Sequence, residues 1–498
     1  MKTNEFKMSE RQLGTVLVGL MACIAGGFLF LLLKSPTAVI ADVRVTDTAA
    51  ERAAGTMPSG SFGGGAQAST AKKSEEVNIE GEFIQFEGQP GESQVDWPHF
   101  RGADRSNIVS SDTPLAESWE EEGPPMIWGP IDLGEGHGGA VVWKGRVYVM
   151  DYDKEKKGDA LRCFSIKDGK EIWRRWYKAP TKNNHGVSRT TPAVTEDYTI
   201  TIGPRCHVMC VDTETGSFQW GIDMGTEYGT EVPLWYTGQC PLIDGDTVVL
   251  APAGNEFLFV GVDIATGSVL WKTPKPSGKW KMSHSSVMPM TLLGKKMYIY
   301  CADGGVAGVS AEESDRGKLL WKSISWNNKV TAPSPLKVND QQIFLTAGNG
   351  GGSLMLELKE EGDEIKADTV FVHDKKNGFS CEQQTPILYE GHIFGVLPKS
   401  AGERREQFAC INPKGEFVWT SGKTERYGLG PFLMGDGKFF VLNDNGELTM
   451  MRASLSGFER LGHAKVLKGH DAWAPMALVD GKLLLRDSKQ MICLDVRK

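Results

Sequence analysis

The stretch VDTETGSFQW, residues 211–220, combines a short strand, a tight turn and a second strand that ends in tryptophan. Related strings end at three other tryptophans: FSIKDGKEIW at Trp173, VDIATGSVLW at Trp271 and INPKGEFVW at Trp419. The landmark aromatic residues fall at nearly constant spacing, at Trp173, Trp220, Trp271, Trp321, Phe371 and Trp419. A period of roughly 50 residues indicates a repeat protein, and Gly-containing turns between short apolar strands indicate that each repeat is a four-stranded antiparallel meander.

A single meander leaves two faces uncovered, so the repeats are expected to stack around an axis as the blades of a propeller. Eight first strands are predicted, at Ala140–Val142, Pro192–Val194, Pro241–Ile243, Val287–Met290, Ser334–Lys337, Pro386–Leu388, Pro431–Leu433 and Pro475–Leu478. The eighth unit lacks a fourth strand, and PPMIWGPIDLG (residues 124–134) has the right form to supply it and close the ring. The predicted fold class is therefore an all-β, eight-bladed β-propeller; a capped solenoid is the alternative.

The repeated tryptophans are interpreted as structural residues, because a large flat ring with one N–H donor suits the space between two sheets. The set comprises Trp128, Trp173, Trp220, Trp271, Trp321 and Trp419.

The N-terminal part of the chain differs in composition from the repeats. The uncharged run at residues 13–33 is long enough to cross a bilayer as a helix, and the preceding Lys and Arg residues place residues 1–12 in the cytoplasm. A cleaved lipoprotein lipidated at Cys23 is the alternative. Residues 34–95, rich in Ala, Gly and Ser, are predicted to be a flexible linker to an extracytoplasmic propeller at residues 96–498. The net charge of −8 without a basic block argues against nucleic acid as a partner.

The repeated D-x-x-T-G-x-x-x-W string resembles the pyrroloquinoline-quinone (PQQ)-type propeller repeat, most closely at residues 212–220 and 263–271. That family includes PQQ-dependent alcohol dehydrogenases and also BamB, a non-catalytic lipoprotein of outer-membrane protein assembly. The stretch DWPHFRGADRSN, residues 96–107, resembles the lead-in of envelope PQQ-like proteins. The resemblance specifies the fold better than the function, because one fold carries many functions.

The residues favour a protein without a catalytic centre. The dehydrogenases carry an adjacent Cys-Cys pair, a Ca²⁺ site and a base Asp; this sequence has no Cys-Cys, and DNGE at residues 444–447 is interpreted as a turn. Cys163, Cys210, Cys410 and Cys493 share one position on the third strands and are predicted to be buried thiols. No metal site, catalytic residue or cofactor is predicted, and PQQ with Ca²⁺ is the alternative.

The segments that enter the first strands, here called the entry loops, are rich in polar and aromatic residues and are predicted to converge on one mouth of the central channel. Candidate ligand-binding residues there are His137, His185, Arg189, Trp235, Tyr236, Gln239, His284, Lys329, Glu382, Arg426 and Trp473. A channel lined by polar groups only because it contains water is the alternative. The predicted function is a membrane-tethered binding or scaffold module for envelope proteins. The alternatives are a PQQ-dependent oxidoreductase and a carbohydrate or peptide receptor that stacks its ligand on Trp235, Tyr236, Trp280 and Trp473.

Overall fold

The computed structural model describes residues 77–109, 111–182, 186–374, 376 and 378–498. These residues form eight sheets, and each contains four strands joined in antiparallel order. Two of the sheets gain a fifth strand from the segment that precedes the repeats. The prediction of an all-β, eight-bladed propeller with four-stranded antiparallel blades is confirmed.

The strands follow the repeats in chain order. Ahead of the repeats lie β1 (Glu82–Gln85), β2 (Ile108–Val109) and β3 (Met126–Asp132). Blades 1 and 2 are β4 (Val141–Trp143), β5 (Arg146–Asp153), β6 (Gly158–Ser165), β7 (Glu171–Lys178), β8 (Ala193–Val194), β9 (Tyr198–Ile202), β10 (His207–Asp212) and β11 (Phe218–Asp223). A short helix, α1 (Met224–Tyr228), follows, and blades 3 and 4 are β12 (Leu242–Asp244), β13 (Thr247–Leu250), β14 (Phe257–Asp263), β15 (Val269–Pro274), β16 (Met288–Leu292), β17 (Lys295–Ala302), β18 (Gly305–Ser310) and β19 (Leu319–Ser323).

The second half of the ring repeats this order. Blades 5 and 6 are β20 (Leu336–Lys337), β21 (Gln342–Ala347), β22 (Gly352–Glu361), β23 (Glu364–His373), β24 (Ile387–Tyr389), β25 (His392–Val396), β26 (Phe408–Ile411) and β27 (Phe417–Thr420), with a 3₁₀ turn at Gly402–Arg404. Blade 7 is β28 (Phe432–Gly435), β29 (Lys438–Leu442), β30 (Glu447–Arg452) and β31 (Arg460–Lys465). Blade 8 contains β32 (Ala477–Val479), β33 (Lys482–Arg486) and β34 (Gln490–Asp495).

The ring closes where the sequence predicts. Strand β3 pairs antiparallel with β34, with Trp128 opposite Cys493, and so supplies the fourth strand of blade 8. This pairing joins the two ends of the repeat region and leaves no open gap between blades 8 and 1. First strands of neighbouring blades, such as β4 with β8 and β32 with β4, approach each other and therefore line the axis of the ring.

Four of the six repeated tryptophans join one blade to the next through a hydrogen bond. In four cases the indole Nε1–H donates to a backbone carbonyl in the last turn of the following blade. These bonds run from Trp128 to Ile166, from Trp173 to Glu214, from Trp220 to Ile264 and from Trp419 to Ser454, at 2.8, 3.1, 2.8 and 3.0 Å. The exceptions are Trp321, which contacts Met297 Sδ of its own blade, and Trp271, whose Nε1 has no hydrogen-bond partner among the described residues.

The repeated string also contains a glycine in its turn, and the structure shows why glycine is needed there. Gly216 has a positive φ of 69°, and a Cβ on it would lie 2.8 Å from the Trp173 ring of the preceding blade. Gly267 has the same relation to Trp220. The glycine therefore provides a left-handed turn and at the same time leaves space for the neighbouring ring.

A β-bulge precedes the landmark aromatic position in the outer strand of each of the first seven blades. In blade 2 Cys210 faces Trp220 while the next pair is Val211 with Phe218, so Gln219 is the extra residue. The register shifts at the same point in the other six blades. Such bulges interrupt the free edge of a strand and blunt it as a site of unwanted pairing.

The predicted linker at residues 34–95 extends too far along the chain. Strand β1 pairs antiparallel with β7, from Glu82 opposite Trp176 to Gln85 opposite Trp173, and forms a fifth outer strand on blade 1. Backbone pairing overrides the polar composition of this stretch. Among the described residues no helix has the length and apolarity needed to span a membrane. The predicted anchor at residues 13–33 and Cys23 lie outside those residues.

We expect Gly267→Ala to destabilise the propeller more than Gly391→Ala, as measured by urea unfolding. Both glycines have φ of 70°, but a Cβ at position 391 would meet nothing within 4 Å. In each variant the free energy of unfolding falls by about 1–2 kcal/mol, because alanine is unfavourable in the left-handed backbone conformation. Gly267→Ala loses roughly 1–3 kcal/mol more because the Trp220 ring must move. Equal losses would contradict the proposed packing between blades.

Candidate functional site

Residues 97–109, here called the axial segment, lie among the first strands that line the propeller axis. Trp97 exchanges two backbone hydrogen bonds with Val142 of blade 1, each 2.9 Å long. The carbonyl of Pro98 then accepts from the backbone N–H of Val194 in blade 2 at 2.9 Å. Trp97 itself is buried. The stretch interpreted from sequence as a lead-in therefore contacts the innermost strands of the first two blades.

Arg101 holds the axial segment on the opposite side of the ring. Its Nη1 and Nη2 donate to the carbonyls of Thr385 and Pro386, at the entrance of blade 6, at 2.7 and 2.9 Å. Its Nε and Nη2 donate to the carbonyls of Arg105 and Ser106 in the same segment. The guanidinium is buried, and its donors are directed to backbone oxygens. Arg101 thus links the loop to blade 6 and fixes the loop's own shape.

The segment ends on blade 7. The Asn107 side chain donates to the carbonyl of Phe432 at 2.5 Å, and the Asn107 carbonyl accepts from the N–H of Met434 at 3.0 Å. Strand β2 then pairs in parallel with β28. Because these contacts join blades 1 and 2 to blades 6 and 7, the chain crosses the axis and fills part of the channel that the sequence predicted to be a ligand funnel.

A series of short polar side chains connects five blades beside this segment. The backbone N–H of each residue donates to the side chain of its counterpart in the next blade. The bonds run from Thr191 to Cys240, from Cys240 to Ser286, from Ser286 to Ser334 and from Ser334 to Thr385, at 3.2, 3.0, 3.1 and 2.8 Å. This series of hydrogen bonds was not predicted from the sequence. The signal was a Thr, Cys or Ser just before the first strands of blades 2 to 6, in four of the five cases ahead of Pro.

Two of the predicted mouth residues, His137 and Trp473, lie in contact. Their ring centroids are 4.9 Å apart, and both side chains are buried. The carbonyl of Trp473 accepts from Gln384 Nε2 at 2.9 Å, which links blades 6 and 8 across the mouth. The entry loops of blades 1, 6 and 8 therefore contact one another here, and their side chains pack together.

Asp444 organises this side of the mouth, although the sequence indicated only a turn. Its Oδ1 accepts from Trp473 Nε1 and from the backbone N–H of Leu429, both at 2.7 Å. Its Oδ2 lies 3.5 Å from Lys399 Nζ. One carboxylate thus joins the entry loops of blades 7 and 8 and a neighbouring loop of blade 6.

A second pair lies at blades 3 and 4, where Trp235 stacks on His284 with ring centroids 6.1 Å apart. Tyr236 donates its hydroxyl to the carbonyl of Lys182 at 2.6 Å. Trp235 and Tyr236 have φ of 67° and 72°, so two consecutive bulky residues hold a left-handed backbone. Such strain persists only where surrounding contacts fix the loop.

The other residues predicted to line the mouth do not form a further cluster among the described residues. Gln239 is 1% exposed, and both of its amide atoms bond the backbone of Ala251, so its polar groups are used within the blade. Arg426 donates to the carbonyls of Lys423 and Arg405. Lys329 is exposed, whereas Arg189 and Glu382 are half-buried. His185 lies outside the described residues. Trp280 is buried and is not a stacking surface.

The cysteines are buried free thiols wherever the structure describes them. Burial raises the pKa of the Cys206 thiol to about 12, and the Cys493 thiol is affected in the same direction. Thiols of this kind are poor nucleophiles at neutral pH. Within the described part of the chain, no group of three or more His, Cys, Asp or Glu residues is arranged to hold a metal ion.

A cavity of about 490 Å³ lies beside blade 1. Arg162 in its wall pairs with Asp151 and Glu171 at 3.0 and 2.8 Å, and Lys154 pairs with Glu135. The charges around this cavity are thus largely balanced by one another, and none of the predicted mouth residues lines it.

A buried carboxyl group lies between blades 1 and 2. Asp159 is fully buried on β6 and accepts a 2.8 Å hydrogen bond from the Tyr177 hydroxyl. Burial raises the pKa of Asp159 to about 7, although the hydrogen bond from Tyr177 acts in the opposite direction. Gly203 of blade 2 packs directly against both groups. Asp159 thus makes the stability of this interface sensitive to pH.

Residues 156–379 match a family profile described as outer membrane protein assembly factor BamB. These residues are therefore similar to the PQQ-like propeller repeat family. The resemblance inferred from the D-x-x-T-G-x-x-x-W strings is thereby confirmed. No curated protein matches the chain at a significant level.

Solved structures of three other proteins align with this chain at low identity. A computationally designed protein, Ika8, aligns with a TM-score of 0.52 and 10% identity over 75% of this chain and 100% of that chain. A europium-containing methanol dehydrogenase aligns with a TM-score of 0.51 and 13% identity over 78% and 89%. BamB from Moraxella catarrhalis aligns with a TM-score of 0.47 and 11% identity over 84% and 100%. At such identities the likeness to Ika8 and to the methanol dehydrogenase shows the fold alone.

We expect Arg101→Lys to lower the free energy of unfolding by about 2–4 kcal/mol, because lysine cannot reproduce the planar set of donors and leaves buried carbonyls without partners. Arg452→Lys is the control: Arg452 pairs with Glu459 at an exposed site, where such pairs contribute less than about 1 kcal/mol. If urea unfolding showed that both variants lose the same free energy of unfolding relative to the wild type, Arg101 would not be the residue that holds the axial segment in place.

Asp159→Asn is expected to flatten the pH dependence of stability. The folded pKa of about 7 exceeds the ordinary value of 3.8, so the folded state binds this proton more tightly. The resulting stabilisation is complete below about pH 4 and is lost as pH rises towards 7, with an upper size of about 4 kcal/mol. Urea midpoints measured from pH 4 to 8 should fall more steeply in the wild type. An unchanged slope in Asp159→Asn, matching an exposed control such as Asp168→Asn, would refute this assignment.

Proposed function

We propose that this chain is a non-catalytic binding and scaffold propeller of the cell envelope, anchored by residues 13–33 with the propeller outside the cytoplasm. The family description, outer membrane protein assembly factor, supports a role in the assembly of outer-membrane proteins. In this proposal partners bind at the rim of the ring. The observation that carries it is the axial segment, because the chain's own residues take up space where propeller enzymes of the resembled family hold their cofactor.

The PQQ-dependent alternative fits the described residues poorly. The resembled dehydrogenases require adjacent cysteines, carboxylates for Ca²⁺ and a free aspartate as base. At the mouth Asp444 already accepts from Trp473 and Leu429, and no three-residue cluster of metal ligands is formed among the described residues. The dehydrogenase likeness is limited to the fold.

The molecule itself shows how an extended segment can bind at the rim. Strand β1 adds to β7 beginning at Trp173, beyond the bulge that blunts the edge. Phe371 occupies the equivalent position in blade 5, and the following residue, Val372, is 67% exposed. Val370 is also exposed. We place the partner here, as an extended apolar segment that pairs with the end of β23.

A photo-crosslinking amino acid at position 372 of the full-length chain should capture a partner protein in intact cells. The matched control is position 269, because Val269 is also an exposed valine on the outer strand of a blade, β15. We expect capture at position 372 to exceed capture at position 269 by at least about fivefold. Val372→Lys should abolish binding of the captured protein, since a charged residue protects a strand edge from pairing.

Equal capture at both positions, or none at position 372, would contradict the rim site. The enzymatic alternative is tested on the same preparation with PQQ and Ca²⁺. Saturable quenching of tryptophan fluorescence together with alcohol-dependent dye reduction would contradict the proposal of a non-catalytic scaffold.

A further inference from the structure

Arg105 is a buried cation on the propeller axis that lacks a partner among the described residues. The side chain is 8% exposed, and its Nη2 is fully buried without a hydrogen-bond acceptor. Arg101, four residues earlier in the same loop, has acceptors for its Nε, Nη1 and Nη2. The two arginines therefore have different roles: Arg101 fixes the loop, whereas Arg105 presents unused donors.

The surroundings of Arg105 do not neutralise its charge. Burial lowers its pKa to about 10, with Cys240 and Asp244 acting in the opposite direction, so the guanidinium remains charged at neutral pH. Asp244 accepts a 2.6 Å bond from the Tyr298 hydroxyl, and no ion pair joins it to Arg105. A buried cation of this kind destabilises the folded state unless an anion or a strong hydrogen-bond acceptor reaches it.

His99 adds a second unused nitrogen nearby. Its Nδ1 is buried without a partner among the described residues. Burial lowers the pKa of His99 to about 3, and the charge of Arg105 acts in the same direction. His99 is therefore neutral, and its ring can donate or accept one hydrogen bond without adding charge.

The backbone at this point is held in an unusual shape. Arg101, Arg105 and Asn107 all have positive φ, between 62° and 70°. Strained conformations persist where surrounding contacts determine them and are common at binding sites. Here the contacts of Arg101 and Asn107 with blades 6 and 7 hold Arg105 between them.

We propose that Arg105, assisted by His99, forms a binding site for one small oxyanion, a phosphate or carboxylate group, inside the axial segment. The guanidinium fork matches the paired oxygens of such groups and binds them in bidentate fashion. This anion site lies apart from the proposed partner site on β23, so an experiment can disprove either proposal without affecting the other. In the absence of ligand the unpaired charge destabilises the fold, and the anion removes this cost.

The test uses the full-length chain and two probes, inorganic phosphate and acetate, in calorimetric titration and in thermal unfolding at constant ionic strength. We expect saturable binding of one equivalent and a midpoint that rises with anion concentration. The two probes distinguish phosphate from carboxylate as the preferred group. Arg105→Met should weaken binding at least tenfold, whereas Arg452→Met, which removes an exposed arginine that pairs with Glu459, should leave affinity unchanged.

A second measurement separates ligand binding from a structural role. Without added anion, Arg105→Met should be at least as stable as the wild type to urea, because the unpaired charge is gone. If Arg105→Met were poorly folded, or if Arg105→Gln were much less stable than the wild type, Arg105 would be structural and the proposal would fail. Absence of saturable binding to the wild type, or equal affinity in Arg105→Met, would overturn it as well.

Discussion

The structure depends on one recurring contact, in which the tryptophan of one blade lies on the glycine turn of the next. The indole ring covers the apolar space between two sheets, and its N–H bonds a turn carbonyl, as between Trp220 and Ile264. Only glycine at position 267 lets the turn approach the ring closely enough. The contact recurs between successive blades from blade 1 to blade 4, and Trp128 on β3 extends it across the closure between blades 8 and 1. Phe371 replaces the tryptophan against Gly415 of blade 6, whereas a Cβ at Gly362 or Gly457, in the last turns of blades 5 and 7, would meet nothing within 4 Å.

The parts of the fold that repeat were predictable from the sequence, because repetition shows which residues share a role. The period of the tryptophans indicated the blades, and the incomplete eighth unit indicated the closing strand. Residues that occur once gave no such signal. Arg101 bonds main-chain carbonyls 284 and 285 residues away, and carbonyls have no sequence signature. Strand β1 lies within a stretch whose composition resembles a linker, and only the free edge of β7 explains why it pairs.

The ligand-binding role predicted for the entry loops stays a prediction, although the structure shows contacts among them. The entry loops do meet, as the contact between His137 and Trp473 shows. Side-chain direction was not readable from residue type, so Gln239 was assigned to the mouth although it bonds Ala251. Asp444 was overlooked because a turn sequence does not reveal which loops surround it. The filling of the channel by residues 97–109 moves the expected partner surface from the centre of the ring to its rim and leaves Arg105 as the unusual group at the centre.

The most direct test of this account is hydrogen–deuterium exchange of the axial segment in the full-length chain. The N–H groups of Trp97 and Asn107, and those of Val142 and Val194 that face the segment, are bonded inside the ring. We predict that these amides exchange as slowly as the interior strands of the blades. The reference for fast exchange is the turn between β22 and β23 at Gly362, which has open space around it. If the amides of the axial segment exchanged as fast as this turn, the segment would not occupy the channel, and the account would be contradicted.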